Sequence, residues 1–434
     1  MRNPGNATCL LLVAAGSLVL ASAALAQQTG ESAGSAAGTA STALTLTPKE
    51  RAAASRTGGI PLGPLRAYPS LDLRLQYNDN IYSTADNKTS SMIWTLTPAI
   101  RLDALRAGGN NYGIFVNLGS GTYTNNSADN FTDFNAGAFA DFDLSTRLRA
   151  GIRADTTFGH DARGSTNDAF TATPNEFRQL NTAAKVSYGA PGARGRLEFD
   201  LGNTQRHYTN NRDSAALNDR NTDNYGATFF WRVAPKTEIL INGIHSKIDY
   251  SLAPGWVATN GTPYVSADST ENSLLIGVKW EATAKTTGIF KIGRSTKEFA
   301  DSSRAGGSNS SWEGTIRWSP LTYSVVDLTL RRGAIETSGG VGDYILDTST
   351  AAKWNHQWSS RVSTDVIASY ATNAYKGLST PRDDEIQVYG ANLNYSMRRW
   401  LKAGAGYTHN VRDSDQNVFD YKSNVFMLYL TGTL

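Results

Sequence analysis

From Leu71 onward the chain alternates strictly. Leu71, Leu73, Leu75 and Tyr77 are apolar, while Asp72, Arg74, Gln76 and Asn78 stand between them. A period of two places the two sets on opposite faces of an extended strand. The pattern returns as Trp94, Leu96, Pro98, Ile100 and Leu102 against Thr95, Thr97, Arg101 and Asp103. It recurs as Leu274, Ile276, Val278 and Trp280 against Ser273, Gly277, Lys279 and Glu281, and it ends on the row Phe426, Leu428, Leu430 and Leu434. About eighteen such segments can be marked, with sixteen as the alternative count. They begin near 71, 92, 111, 131, 147, 177, 194, 222, 237, 270, 285, 309, 323, 344, 360, 385, 400 and 421.

The connections alternate in length. Short turns are expected at Ser145-Thr146, Ala190-Pro191-Gly192, Ala234-Pro235, Thr283-Ala284, Pro320-Leu321, Ser359-Ser360 and Arg398-Arg399. Longer polar loops fall between them, as at 159–175, 209–221, 251–268 and 299–308. Short turns on one side and long loops on the other are the signature of an up-and-down transmembrane barrel. The fold class expected is therefore all-β, an antiparallel outer-membrane barrel over 69–434. Trp231, Trp280, Trp318, Trp358 and Trp400 each stand beside a short turn. An indole is apolar with one polar N–H, so this row predicts an aromatic girdle at the periplasmic interface.

Mean hydropathy is negative, and after the first residues no apolar run approaches the roughly 18 residues a spanning helix needs. A barrel passes such a scan unseen, because a spanning strand needs only about 10 residues with every second one apolar. The start of the chain is different: Arg2, an apolar stretch from Cys9 to Leu20 and Ala24-Leu25-Ala26 predict a secretory signal over 1–26. Cys9 is the only cysteine, so the processed chain is expected to hold no disulfide, iron–sulfur cluster or thiolate zinc site. Residues 27–68 are mostly Ala, Ser, Thr and Gly, too poor in large apolar side chains to bury a core, and predict a flexible periplasmic segment. Within it Thr47-Pro48-Lys49-Glu50 reads as a capping box, predicting a short helix over 48–56.

Several motifs resemble a known family. Tyr77-Asn78-Asp79-Asn80-Ile81-Tyr82 is similar to the opening strand of the family called putative β-barrel porin 2. So is the run Gly277-Val278-Lys279-Trp280 through Thr286-Thr287-Gly288 and Ile292-Gly293-Arg294 to Phe299-Ala300-Asp301, and the turn Trp318-Ser319-Pro320-Leu321-Thr322. The resemblance covers 69–434 and lies in strand ends and turns, not in a reactive site. Members are often encoded beside exopolysaccharide export genes, so the resemblance implies a polymer as cargo. Leu434 departs from the aromatic terminus usual in outer-membrane barrels.

The polar face collects Asp72, Arg74, Arg101, Asp103, Arg149, Arg153, Asp155, Lys185, Arg196, Glu198, Asp200, Arg317, Asp327, Arg331 and Asp365. A charge facing hydrocarbon at the midplane costs about 2–4 kcal/mol, so these side chains are expected to line the lumen. Two readings stay open: a lumen closed by mutual ion pairing, and a hydrated passage. The signs are mixed and the formal net charge is only +3, which argues against a one-sign selectivity ring and against nucleic acid. Gly119, Gly121, Gly137, Gly277, Gly404 and Gly406 fall on the same face, where they would either keep the bore open or mark bends.

Reactive chemistry is sparse. His160, His207, His245, His356 and His409 show no metal-ligand spacing. Tyr407-Thr408-His409-Asn410 is the nearest approach to a hydrolase site, without a serine in the expected strand context. Asp413-Ser414-Asp415-Gln416-Asn417 imitates half a calcium loop, but Val418 replaces the turn glycine. Ser338-Gly339-Gly340-Val341-Gly342 lacks the strand and helix of a phosphate loop. The expectation is a monomeric, cofactor-free porin, not an enzyme, embedded in outer-membrane lipid. Its cargo would be an exported exopolysaccharide, passed on by periplasmic or inner-membrane export components; the alternatives are a general or substrate-selective porin for small hydrophilic solutes and, third, an outer-membrane hydrolase.

Overall fold

A computed structural model describes residues 58–105, 110–167, 170–190, 192–252, 265–283, 285–338 and 341–434. The expected signal over 1–26 and the helix over 48–56 lie outside the described residues.

A three-residue strand, β1 (Ile60–Leu62), pairs with the start of β2 (Leu65–Asn78). There follow β3 (Ser91–Leu105), β4 (Asn111–Tyr123), β5 (Phe131–Asp143), β6 (Leu148–Asp161), β7 (Asn175–Tyr188), β8 (Gly195–Tyr208), β9 (Arg220–Ala234) and β10 (Thr237–Tyr250). The second half is β11 (Ser269–Thr283), β12 (Thr286–Phe299), β13 (Gly307–Leu321), β14 (Ser324–Ile335), β15 (Tyr344–Gln357), β16 (Val362–Lys376), β17 (Arg382–Arg398), β18 (Leu401–Ser414) and β19 (Tyr421–Thr433). Each strand from β2 pairs antiparallel with the next, and β19 returns to β2 through Val425↔Asn78 to Thr433↔Ser70. The wall is thus a closed eighteen-strand barrel.

Closure satisfies the ladder on both sides of every strand, which hydrocarbon requires. It also makes the face assignment testable, because residues directly opposite each other share a face. Asp72 pairs with Thr97, Asp103 with Gly113, Gly113 with Phe139 and Phe139 with Arg153. Carried on around the wall, the same parity arrives at Lys402↔Thr431 and then Thr431↔Asp72, its starting residue. The opposite parity is apolar: Leu73 joins Leu96 and Leu430, and Leu275's neighbours Leu274 and Ile276 are both exposed on the outside.

All eighteen expected segments are strands. The largest offset is β2, which starts at Leu65 although the clear alternation begins at Leu71. Pro69 hides those residues from a pattern reading, since a proline demotes a strand interior. Its carbonyl accepts from Leu434 N at 3.1 Å, so the side that lacks an N–H faces the last residue of the chain, one position beyond the end of β19, where the ladder is already ending. Pro98 is accommodated differently: the β3–β4 ladder lapses between Leu96↔Ser120 and Ala99↔Asn117.

The Tyr-Asn-Asp-Asn motif has a structural role at the closure. Asp79 accepts from the backbone N and the Nδ2 of Asn424, both at 2.7 Å. The buried Asn80 donates to Thr84 O at 2.8 Å and Lys422 O at 3.1 Å. The first strand is thereby tied to the last at the long-loop rim.

Leu73 stands outward near mid-strand. Leu73→Arg is expected to destabilise the barrel by about 2–4 kcal/mol, read by urea unfolding from phospholipid vesicles, while Leu73→Phe changes little. Equal stability of Leu73→Arg and the parent would contradict a lipid-facing position.

Candidate functional site: the inner wall and the long-loop mouth

Register places all fifteen charged positions singled out above on the face opposite the apolar rows. Many meet each other. Lys185 Nζ lies 2.8 Å from Glu198 and 3.5 Å from Asp200, and Arg196 bridges Glu198 and Glu238, each at 3.3 Å. Arg317 grips Asp327 with two bonds, at 2.6 and 3.0 Å. Arg101 pairs with Asp103 at 2.7 Å and Arg74 with Asp72 at 3.5 Å. Arg331 and Asp365 instead find Asp347 at 2.6 Å and Lys353 at 3.9 Å. Asp155 accepts from Asn181 Nδ2 at 2.9 Å. Arg149 and Arg153 have no carboxylate within ion-pair distance among the described residues.

Partners that the charge list missed, such as Glu238, Lys353 and Asp347, follow from the same alternation applied to every strand. Lys291–Glu313 is another inward pair of this kind.

The glycines are explained by their cross-strand neighbours. Rings lie over Gly121 (Phe131), Gly137 (Phe115) and Gly404 (Tyr429), and the Asn392 amide lies over Gly406. A Cβ at these positions would collide with a side chain laid flat on the wall, which is neither a bend nor simple lack of bulk.

At the long-loop rim the wall turns inward. β13 pairs with β14 only from Trp312↔Arg332, leaving Gly307–Ser311 without a β14 partner, yet β14 and β15 stay paired to Ile335↔Ile345. Both parities are buried in the last three residues of β14 and the first four of β15. A hairpin tip that left the wall to cover the inner face of β12 and β13 gives this pattern. Accordingly Tyr344 packs on Phe299 with ring centres 6.4 Å apart and accepts from Asn309 Nδ2 at 3.3 Å. Ile335, Ile345 and Tyr375 form a buried cluster beneath Val341 and Leu378.

Glu336 follows the tip and reaches across to two other strands. Lys297 Nζ on β12 donates to it at 2.5 Å and Tyr250 OH on β10 at 2.8 Å. Burial alone would raise its pKa, but the positive charges of Lys297 and Arg220 outweigh that and hold the carboxyl below the ordinary range. From the neighbouring loop, Arg304 Nη1 donates to Asp343 at 3.1 Å.

A second segment crosses to meet this tip. Residues 162–167 leave β6, where Arg163 donates twice to the buried Asp129, both at 2.7 Å, and Tyr82 OH donates to the same carboxylate at 2.8 Å. Four residues on, Asn167 N donates to Ser338 Oγ at 2.9 Å and its Nδ2 to Tyr375 OH at 3.0 Å, while Arg382 Nη1 donates to Asn167 Oδ1 at 3.1 Å. Tyr375 is the penultimate residue of β16, eight strands from β6 in one direction round the wall and ten in the other. The segment is a strap across the mouth.

On the outside, the five tryptophans lie at one rim, beside short turns. Trp231, Trp318, Trp358 and Trp400 are exposed and Trp280 is half-buried. A second exposed aromatic row, Tyr77, Tyr225, Tyr370, Tyr389, Tyr407 and Phe426, stands from mid-strand toward the long loops. The sequence reading missed it because these residues sit inside strands, not beside a recognisable turn.

His409 faces outward and its Nδ1 is 2.9 Å from Asn424 Oδ1. The flanking outward positions on its strand are Tyr407 and Val411, so no serine stands where a nucleophile would be needed. No group of three or more His, Cys, Asp or Glu able to hold a metal occurs among the described residues. No described helix is long and apolar enough to cross a membrane.

Several solved structures are similar to this chain over most of its length. OccK5 (OpdH) of Pseudomonas aeruginosa is 13% identical, with 85% of this chain and 98% of that chain covered and a TM-score of 0.46. A BenF-like porin from Pseudomonas fluorescens Pf-5 is 11% identical, with 85% and 99% covered and a TM-score of 0.48. The siderophore receptor PirA from Acinetobacter baumannii is 7% identical, with 85% and 80% covered and a TM-score of 0.42. No curated protein matches the chain. Residues 54–433 match the family model described as putative beta-barrel porin 2; with the closed eighteen-strand wall, this chain belongs to that family and is a porin-like barrel of the outer membrane.

Proposed function

We propose that the barrel is a passive conduit for hydrophilic cargo, with a secreted exopolysaccharide as that cargo. The observation that carries the reading is the inner wall: cations and carboxylates are interleaved and largely paired, so the face is wettable without a strong field of either sign. Barrels of 16–18 strands are too wide for wall side chains alone to fill, which favours an aqueous path over a solid core. The fifteen charged positions of the inner wall line that path. In this orientation the short-turn rim, its tryptophan girdle and the N-terminus face the periplasm, and residues 1–26 are removed on export. Nothing in such a wall performs work, so the driving energy belongs to synthesis and to export partners. A monomer suffices, and no cofactor or enzymatic step is invoked.

A second reading, selective passage of small polar solutes, draws support from the strap and the inward tip, which narrow the mouth. Deletion separates the two. Polymer export predicts loss of extracellular polymer with accumulation in the periplasm and unchanged small-solute uptake. Normal secretion with impaired uptake would replace it with the second reading.

The mouth closure makes its own predictions. Asn167→Ala combined with Glu336→Gln removes both anchors and is expected to raise single-channel conductance severalfold; unchanged conductance would contradict an occluding role. Because the folded Glu336 pKa is depressed, its contribution is fully present above the ordinary carboxylate value, about 4.3, and is lost as pH falls through the lower folded value. Conductance should therefore rise in the parent as pH falls through that lower folded value, and this rise should be absent in Glu336→Gln.

A further inference from the structure

The inner face of β4 and β5 carries an arrangement that ion pairing does not explain. Phe115 is opposite Gly137 and Phe139 opposite Gly113. The tip of the Phe115 ring lies 2.6 Å from where a Cβ on Gly137 would stand, and the Phe139 ring lies closer still over Gly113. Glycine at these positions lets an aromatic ring lie flat against the wall, where a backbone must be approached closely. Phe131 lies over Gly121 in the same way, but His160 stacks against it with ring centres 4.1 Å apart. Phe115 and Phe139 carry no such stacked ring among the described residues, and Phe139 is overlaid instead by guanidinium groups.

Polar groups of one kind flank them. Towards the long-loop rim Asn117 Nδ2 donates to Asn135 Oδ1 at 3.2 Å. Over the Phe139 ring the guanidinium carbons of Arg101 and Arg153 stand 4.9 and 5.8 Å from its centre, so a solute there meets the ring together with guanidinium N–H groups. Arg153 has no carboxylate partner among the described residues, which leaves its N–H donors for a solute. The local charges nearly cancel, with Arg101, Arg149 and Arg153 set against Asp103, Asp141, Asp143 and Asp155. An ionic ligand gains little from such a wall. A molecule with apolar C–H faces and many hydroxyls gains at every position, since the faces stack on rings and the hydroxyls exchange bonds with amides and guanidinium.

We propose that the β4–β5 inner wall is a binding track for a neutral saccharide chain. The inference rests on the conduit reading and names the cargo chemistry that the wall recognises.

The test uses the full-length processed protein in planar bilayers, probed with a linear neutral glucose oligomer and with polyethylene glycol of similar hydrodynamic size. The glycol has ether oxygens but neither sugar C–H faces nor a hydroxyl array. Wild-type current should be interrupted by the glucose oligomer at concentrations where the glycol has no effect. Phe115→Leu with Phe139→Leu should raise the oligomer concentration required by at least about tenfold, the loss of stacking worth more than about 1.4 kcal/mol. Arg153→Gln should raise it less. Heat-modifiable migration and sheet-type circular dichroism should stay as in the parent, which shows that the variants fold. Identical interruption by oligomer and glycol, or undiminished oligomer block in the double variant, would overturn the track and leave the conduit standing. Absence of any channel current in the parent would overturn the conduit reading and the track together.

Discussion

The structure depends on one constraint: backbone N–H and C=O groups in hydrocarbon have no water to bond, so every strand must find partners on both sides. The chain meets it by tying β19 to β2, with nine laddered pairs and the Asp79 and Asn80 bonds to the last strand. Once the ladder is closed, side-chain direction is no longer a local choice. A slip of one residue anywhere would turn a row such as Leu71, Leu73 and Leu75 inward and its charges into lipid. Outer apolar rows and an inner polar wall are two consequences of the same closure.

Inside, opposite charges on adjacent strands face each other across the ladder, in pairs such as Arg317–Asp327 and Lys185–Glu198. These pairs are short-range, so they line the wall without spanning it. Occlusion comes from segments that leave the wall. The β14–β15 tip and the 162–167 strap bring Glu336, Asn167 and Ser338 into the mouth, and they meet each other through the Asn167–Ser338 bond. The protein thus separates two tasks, a rigid polar lining made by register and a narrow mouth made by loops.

The sequence was informative where a period exists. Alternation located all eighteen strands, because one-face burial is written into every second residue. It lost the first six residues of β2, where Pro69 breaks the composition although not the geometry. The family motifs likewise mark strand ends whose role appears only in space, as Asp79 reaching Asn424 shows. Loop residues carry no such period. Nothing in the sequence around Glu336 or Asn167 announces a contact four or eight strands away. The inward glycines were legible as a class but not in purpose, since each is explained by a ring on the next strand. The second aromatic row was hidden for a similar reason: Tyr225, Tyr389 and Tyr407 look like ordinary strand residues until register aligns them.

The most direct measurement of this account is the accessibility of adjacent cysteines in the lipid-embedded barrel. The chain beyond Cys9 contains no cysteine, so single substitutions give a clean background. Thr95→Cys and Asn117→Cys should react with a membrane-impermeant thiol reagent, while Leu96→Cys and Leu118→Cys should resist it and, once labelled with a fluorophore in detergent, be quenched by lipid-borne quenchers. Equal labelling of neighbours, or the reverse order, would contradict a wetted inner wall behind a lipid-facing outer one.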